Sequence, residues 1–218
     1  MNFNLDETVN AGARVQFTGN AIYDVTFDGC EARDFDKKDG NGQFHVLEIK
    51  FSNKDGYFTH TIWEPREEDA QDRPGAFGNQ PSNLKVMNYL LKHLIDTVNP
   101  ELSAKIDKKE ASLSAPNWDA FRKLIVDSTN PGKGTKTKIK LVKNNKGDAA
   151  FPYFLNYDRN GKLYMSTNFI GNGVFFTNKE LDRIKKSEAR PVSVSSNTDT
   201  FDIPATTTQS ADDFDMNI

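Results

Sequence analysis

The sequence contains a single cysteine, Cys30, among its 218 residues. One cysteine excludes an intramolecular disulfide and any zinc site built from several cysteines. Long apolar runs are also missing, since no stretch approaches the roughly 18 residues that a membrane-spanning helix needs. Residues 1–7 are acidic and lack the apolar region of a signal peptide. We therefore expect a cytoplasmic protein that has no contact with membranes.

Motifs for catalysis are equally scarce. The three histidines, His45, His60 and His93, are scattered along the chain, and no two stand at the spacing of metal ligands. Residues 132–136 have the composition of a phosphate loop but not its spacing, and they precede a predicted strand where such a loop precedes a helix. Acidic residues within 64–69 have the chemistry of magnesium ligands, but a charge run in a loop rich in Pro and Gly is typically solvated. The sequence therefore predicts a protein that is not an enzyme and needs no cofactor or metal.

Aromatic residues stand out against a modest apolar content. Hydrophobic residues make up 36% of the chain, yet it holds 16 Phe, 6 Tyr and 2 Trp. The low apolar share indicates that part of the chain is not packed. Many rings in such a chain suit a small β-rich domain, or a surface that stacks on flat ligands, and composition does not separate the two.

The net charge of −3 conceals a segregation of charge. From residue 188 to the end, six acidic residues stand against Arg190 alone, a balance of −5. Residues 1–187 therefore carry about +2 by the same counting. An acidic tail attached to a mildly basic body suggests an interaction with a polyanion or with a basic partner.

Alternating apolar and polar residues predict the first three strands. They lie over 21–28, 43–52 and 57–63, with a hairpin turn at 53–56 between the last two. Residues 64–80 contain Pro and Gly and lose the alternation, which predicts a long surface loop.

Helical periodicity then predicts two helices, over 82–98 and 117–128. Further strands are predicted over 135–143, 151–157 and 162–169, the last two forming a hairpin. Finally, Thr177 and Glu180 have the spacing of a capping box, which predicts a short closing helix.

This order of elements predicts a mainly β fold with a helical insertion, in the α+β class. An oligonucleotide-binding barrel, or OB-fold, has five strands, with a helix between the third and the fourth. We expect an OB-fold-like five-stranded barrel with an extra hairpin and helices over 1–187, although a different α+β sheet fits nearly as well. Residues 188–218 are rich in Ser, Thr and Asp and are expected to be a disordered tail.

Lysines follow one predicted strand in a regular row. Residues 133–146 hold six lysines and no acidic residue. On a strand, Lys136, Lys138 and Lys140 share one face at intervals of about 6.6 to 6.8 Å, close to the spacing of phosphates along an extended single strand. Such a row of cations can follow a nucleic-acid backbone, although the solvated outer face of a strand gives the same pattern.

Aromatic side chains accompany these lysines on the strands, where they can offer bases a stacking platform. Half of the rings must fill the core, and the alternation does not reveal which face is exposed. The predicted contacts to single-stranded DNA are Phe44, Lys50, Tyr57, Trp63, Lys136, Lys138, Lys140, Lys143, Tyr153 and Tyr157.

The C-terminal tip carries acidic residues around one aromatic: Asp212, Asp213, Phe214 and Asp215. This tip resembles those of single-stranded DNA-binding proteins from bacteria and tailed phages, and the whole chain resembles a phage replication protein of that group. The family's tip usually ends on or next to the aromatic, whereas four residues follow Phe214 here.

The resemblance implies sequence-nonspecific binding of single-stranded DNA in replication, recombination and repair, in the host cytoplasm if the chain is phage-encoded. It also implies that the tail recruits replication partners such as a polymerase, helicase or primase and competes with DNA for the basic groove. A homo-oligomer is left open.

Two other functions fit the same sequence. One is a metal-dependent nuclease or nucleotide-processing enzyme that uses Glu64, Glu67 and Asp69. The other is a phage structural or host-interaction protein whose lysine face binds another protein.

Overall fold

The computed structural model describes residues 15–75, 78–144, 146–152, 155–157, 160–161, 163–165 and 168–188. The acidic tail predicted for 188–218 lies outside these residues, apart from Glu188 at the end of the last helix.

The strands in chain order are β1 (Val15–Gln16), β2 (Ala21–Asp36), β3 (Gln43–Ser52), β4 (Gly56–Trp63), β5 (Arg73–Gly75), β6 (Gly78–Gln80), β7 (Lys136–Lys143), β8 (Ala149–Ala150), β9 (Leu155–Tyr157) and β10 (Leu163–Met165). The helices are α1 (Asn83–Val98), α2 (Pro100–Asp107), α3 (Trp118–Thr129) and α4 (Asn178–Glu188), with 3-10 turns at Glu67–Ala70 and Asn130–Gly132. Among the helices of the described ranges, none combines the length and apolar character that crossing a bilayer requires.

Six strands form one curled sheet in the order β1-β4-β3-β2-β7-β8, which closes about half of a barrel. β1 runs parallel to β4, and the other neighbours are antiparallel. After the helical insertion the chain returns to the far side of β2 rather than continuing beside β4. The order β7-β2-β3-β4 is therefore that of a Greek key, and the predicted α+β class is confirmed.

The first long strand continues well beyond its predicted end. Alternation predicts a strand over 21–28, but β2 extends to Asp36. A bulge between Phe27 and Gly29 shifts the pairing with β3 by one residue, so the second half of β2 does not continue the alternation of the first. The second predicted strand, 43–52, is confirmed as β3 without change.

The predicted loop over 64–80 is more ordered than expected. It contains the 3-10 turn Glu67–Ala70 and the short hairpin β5–β6. The last predicted strands are shorter than 151–157 and 162–169, but β9 and β10 do pair antiparallel, as the predicted hairpin requires.

One face of the sheet packs against helices α1 and α3. The residues that fill this core are Phe27, Leu47, Ile49, Phe51 and Phe58 from the sheet, with Leu90, Leu91, Leu94, Ile95, Val98 and Ile125 from the helices. We call this the helical face and the opposite side the open face. Because side chains alternate along a strand, the residues between these core positions point to the open face.

Arg122 of α3 attaches the helical layer to the sheet. Its guanidinium donates to the carbonyls of Arg33 (2.9 Å) and Val46 (3.1 Å) and pairs with Asp34 at 2.9 Å. Trp118 adds a bond from Nε1 to the His45 carbonyl, at 2.9 Å. These contacts hold α3 on the helical face and leave the open face to other groups.

Candidate functional site

Strand register brings most of the predicted contact residues to the open face. In an antiparallel pair, residues directly opposite each other share a face. Trp63 lies opposite Val46, and Tyr57 lies opposite Ser52, so both share the face of Phe44 and Lys50. Thr26 pairs with Ser52 on one side and Lys136 on the other, which adds the lysines of β7 to the same face.

Phe44 and Trp63 form an exposed pair of rings at one end of this face. Their ring centroids lie 5.3 Å apart in an edge-to-face arrangement. Phe44 is 44% exposed and Trp63 is 56% exposed, whereas Val46, opposite Trp63, is fully buried. The rings therefore cover an apolar floor and keep one side available to a flat ligand.

Two cations that are not among the predicted contacts lie on aromatic rings at this end of the sheet, one on Phe44 and one on the neighbouring Phe35. Lys37 Nζ lies 5.3 Å from the centroid of the Phe44 ring, and the Arg33 guanidinium carbon lies 4.9 Å from that of Phe35. Phe35 lies directly opposite Phe44. Sequence analysis could have found them in the segment 31–38 after the bulge, where Arg33, Phe35 and Lys37 stand at alternate positions.

Lys50 lies at the centre of the open face within a network of charges. Its ammonium pairs with Glu31 and, at 3.1 Å, with the buried Glu48. Arg33 also pairs with Glu48, at 3.4 Å. The hydrogen bond from Lys50 lowers the pKa of Glu31, and the same bond raises the pKa of Lys50. Lys50 thus lies on the predicted face, but its positive charge is already paired with the carboxylates of Glu31 and Glu48.

The lysine row of β7 is shorter than predicted. Lys136 is exposed, and Lys138 is partly exposed beside Asp24, 3.7 Å away. Lys140 is expected to face solvent, and this expectation is wrong, because its side chain is fully buried. Its Nζ donates to Glu180 at 2.9 Å and to the Phe175 carbonyl at 2.9 Å, so it is committed to α4.

The predicted capping box at Thr177 is confirmed, and it explains how Glu180 reaches Lys140. The Thr177 amide donates to Glu180 Oε2 at 2.7 Å, and the Glu180 amide donates to Thr177 Oγ1 at 3.3 Å. Burial tends to raise the pKa of Glu180, but the hydrogen bonds from Lys140 and Thr177 outweigh it and lower that pKa. The carboxylate is therefore held charged at the start of α4.

The other predicted contacts are more dispersed. Tyr57 is 38% exposed, but it is six residues from Trp63 along β4, a distance of about 20 Å. Lys143 is exposed, yet alternation places it on the opposite side from Lys136 and Lys138. Tyr157 belongs to β9, and its side chain lies outside the described residues, as do Tyr153, Asp212, Asp213, Phe214 and Asp215.

The carboxylates proposed for a nuclease do not converge. Asp69 accepts hydrogen bonds from the Arg66 amide (2.9 Å) and from Asn83 Nδ2 (2.6 Å), whereas Glu64 and Glu67 are exposed. Across the described part of the chain, no group of three His, Cys, Asp or Glu side chains is arranged to hold a metal ion. Asp69 instead stabilises the start of the 3-10 turn and contacts the start of α1.

The three histidines occupy separate structural positions. His45 Nδ1 lies 2.8 Å from Asp34. His60 contacts Phe58 and Phe151 on the helical face, where burial lowers its pKa to about 4. His93 packs edge-on against the Phe169 ring, and burial lowers its pKa as well.

Comparison of the chain with models of known protein families, with curated proteins and with solved structures gives no match. The geometry of the open face therefore carries the functional argument. Exposed rings beside cations attract flat aromatic groups and anions together.

Proposed function

We propose that this protein binds single-stranded DNA without sequence preference on the open face of its sheet. The observation that carries the proposal is the exposed edge-to-face pair of Phe44 and Trp63 on adjacent strands. Lys37 lies over the Phe44 ring, and Arg33 lies over Phe35, the residue opposite Phe44. Bases stack on such rings whatever their identity, each stacking contact contributing about 1–3 kcal/mol. Phosphates then meet the cations at the border of the rings.

The sheet topology supports an OB-fold assignment. In this assignment β2, β3, β4 and β7 are the first four barrel strands, and the helices fill the connection between the third and the fourth. OB-folds bind oligonucleotides on strands 2 and 3 and on the loop between strands 1 and 2. In this chain those elements are β3, β4 and residues 37–42, which carry Phe44, Trp63 and Lys37.

The cations available for phosphate contacts are fewer than the sequence suggests. Lys136 and Lys138 remain accessible on β7, and Lys37 joins them from the β2–β3 turn. Lys140 does not contribute a phosphate contact, because its side chain is buried against Glu180. In this proposal a single strand therefore stacks its bases on the rings at one end of the open face and contacts a short row of lysines at the other end with its phosphates.

The acidic tail supports a place in phage DNA replication, recombination or repair. Its carboxylates Asp212, Asp213 and Asp215 surround Phe214, as in the proteins that the tip resembles. We assign it two roles, recruitment of replication proteins through Phe214 and competition with DNA for the lysines. The same assignment places the protein in the host cytoplasm.

Titration of fluorescent oligonucleotides tests the proposal. Single- and double-stranded oligonucleotides are compared at two salt concentrations, with and without Mg²⁺. We expect preferential binding of the single strand, weakened by salt, with no cleavage in Mg²⁺. Substitution F44A/W63A should lower the affinity, and the ring-preserving F44Y/W63F should retain most of it. Cleavage would favour the nuclease alternative, and indifference to DNA would favour a protein partner.

A further inference from the structure

β2 extends past the end of its neighbour β7 and leaves part of one edge without a strand. β7 pairs with β2 only as far as Thr26, and one further pair of backbone hydrogen bonds reaches Phe27. On the other side, β2 pairs with β3 as far as Asp36. A cleft of about 500 Å³ opens where the strand edge is uncovered, beside the bulge at Gly29.

Three separate segments contribute a lysine to this cleft. Lys50 comes from β3, Lys123 from α3, and Lys133 from the turn before β7. The rest of the lining is formed by Asp28, Gly29, Cys30, Glu31, Ala32, Val126 and Asn130. The Asn130 side chain accepts a hydrogen bond from the Cys30 amide at 2.9 Å and so provides a partner for one backbone amide of the uncovered strand edge.

Gly29 allows the Lys133 side chain to lie across the bulge. A Cβ at position 29 would come within 2.2 Å of Lys133 Cε and 2.8 Å of Asn130 Oδ1. The backbone there has a φ of +121°, which glycine adopts without strain. The bulge therefore provides both the cleft and the space for a lysine beside it.

The charges of the cleft are unevenly compensated. Lys50 is paired with Glu31 and Glu48. Lys123 and Lys133 form no ion pair within 4.0 Å with any residue that the structure describes. Both lysines therefore line one opening without an ion pair of their own, and with Lys50 they outnumber the two carboxylates of the lining, Asp28 and Glu31. Such an excess of positive charge attracts an anion.

We propose that this cleft binds a phosphate group, and specifically a phosphodiester of a single strand that stacks on Phe44 and Trp63. This inference rests on the proposed function. Lys50 and Glu31 belong both to the cleft and to the open face, so the two surfaces are continuous. From Trp63 to Gly29 the path covers four residues along β3 and two strand spacings, about 16 Å. An oligonucleotide of about four nucleotides, the smallest site of a single OB-fold, is long enough to span it.

The test measures the salt dependence of oligonucleotide binding by the full-length protein. Variant K123A/K133A is compared with wild type, with K105A/K108A as a control on exposed lysines of α2 and its C-terminus. Each phosphate contact on a single strand contributes about 0.7 to the slope of log K against log salt. Because the cleft binds one phosphate, we expect K123A/K133A to reduce the slope by about 0.7. K123R/K133R should restore the slope, and K105A/K108A should leave it unchanged. Quenching of Trp63 at saturation should persist in all of them.

A second arm separates a phosphodiester from free phosphate. Inorganic pyrophosphate is titrated calorimetrically into wild type and K123A/K133A. An unchanged salt slope in K123A/K133A overturns the proposal while leaving DNA binding intact. If wild type does not bind DNA at all, the proposed function fails. In that case, pyrophosphate binding that depends on Lys123 and Lys133 would still support a phosphate site in the cleft. A lack of pyrophosphate binding would show that the cleft is not a phosphate site.

Discussion

Lys140 Nζ lies 2.9 Å from a carboxylate oxygen of Glu180, with the lysine side chain completely buried and the glutamate nearly so. The pair connects β7 to α4, the last helix before the acidic tail. It removes one cation from the predicted lysine row and attaches the start of α4 to the sheet.

Breaking the Lys140–Glu180 pair should destabilise the fold. Substitution E180Q leaves the lysine charge buried without its counter-ion, and such changes cost about 3–5 kcal/mol. Replacing both residues, as in K140M/E180M, should recover much of that loss, because no charge is then left unpaired. Chemical denaturation of the three proteins measures the difference, and equal stability of E180Q and wild type would contradict the account.

Lysines of β7 should differ in their effect on DNA binding. Substitution K138A removes an accessible cation and should reduce the slope of log K against log salt by about 0.7. K140M/E180M should leave that slope unchanged, since Lys140 does not reach the surface. The measurement is oligonucleotide affinity at several salt concentrations. A reduced slope in K140M/E180M would show that Lys140 leaves Glu180 to contact DNA.

Acid should destabilise the protein through His60. The unfolded side chain takes up a proton near pH 6.5, but in the fold burial lowers its pKa to about 4. The contribution of neutral His60 to the free energy of unfolding is therefore complete above pH 6.5. It is lost as the pH falls towards 4, by up to about 3 kcal/mol. Substitution H60F keeps a ring beside Phe58 and Phe151 and should flatten this part of the curve of unfolding free energy against pH. If the curves of unfolding free energy against pH were parallel for wild type and H60F, His60 would not be the cause of the acid destabilisation.

Cys30 should react slowly with thiol reagents in the native state. Burial raises the pKa of its thiol to about 11, so at pH 8 the thiolate fraction is about 100-fold lower than for a free cysteine. Reaction with a disulfide reagent at pH 8, with and without denaturant, gives the ratio of rates. Comparable rates under both conditions would mean that the thiol at the cleft is open to solvent.

Local patterns predicted the elements whose chemistry is local. Alternation predicted β3 to the residue, and the spacing of Thr177 and Glu180 predicted the capping box. The second half of β2 was missed because the bulge at Gly29 shifts the alternation there. The hairpin β5–β6 was missed because its strands have three residues each.

The candidate site was predictable in part for similar reasons. Strand alternation grouped Phe44 with Lys50 and Tyr57 with Trp63, but only the register of β3 against β4 joins the two groups. The burial of Lys140 depends on Glu180, forty residues away along the chain. Contacts over such separations leave no pattern in a local window of sequence.

The central claim is that bases stack on Trp63, and tryptophan fluorescence tests it directly. Substitution W118F leaves Trp63 as the only tryptophan, since the chain has two. Addition of an unlabelled oligothymidine should quench its emission, with a dependence on concentration that matches affinity from anisotropy. Variant W63F, which retains Trp118 on the helical face, should bind with little change in emission. Saturated binding to W118F without quenching of Trp63 would contradict the account.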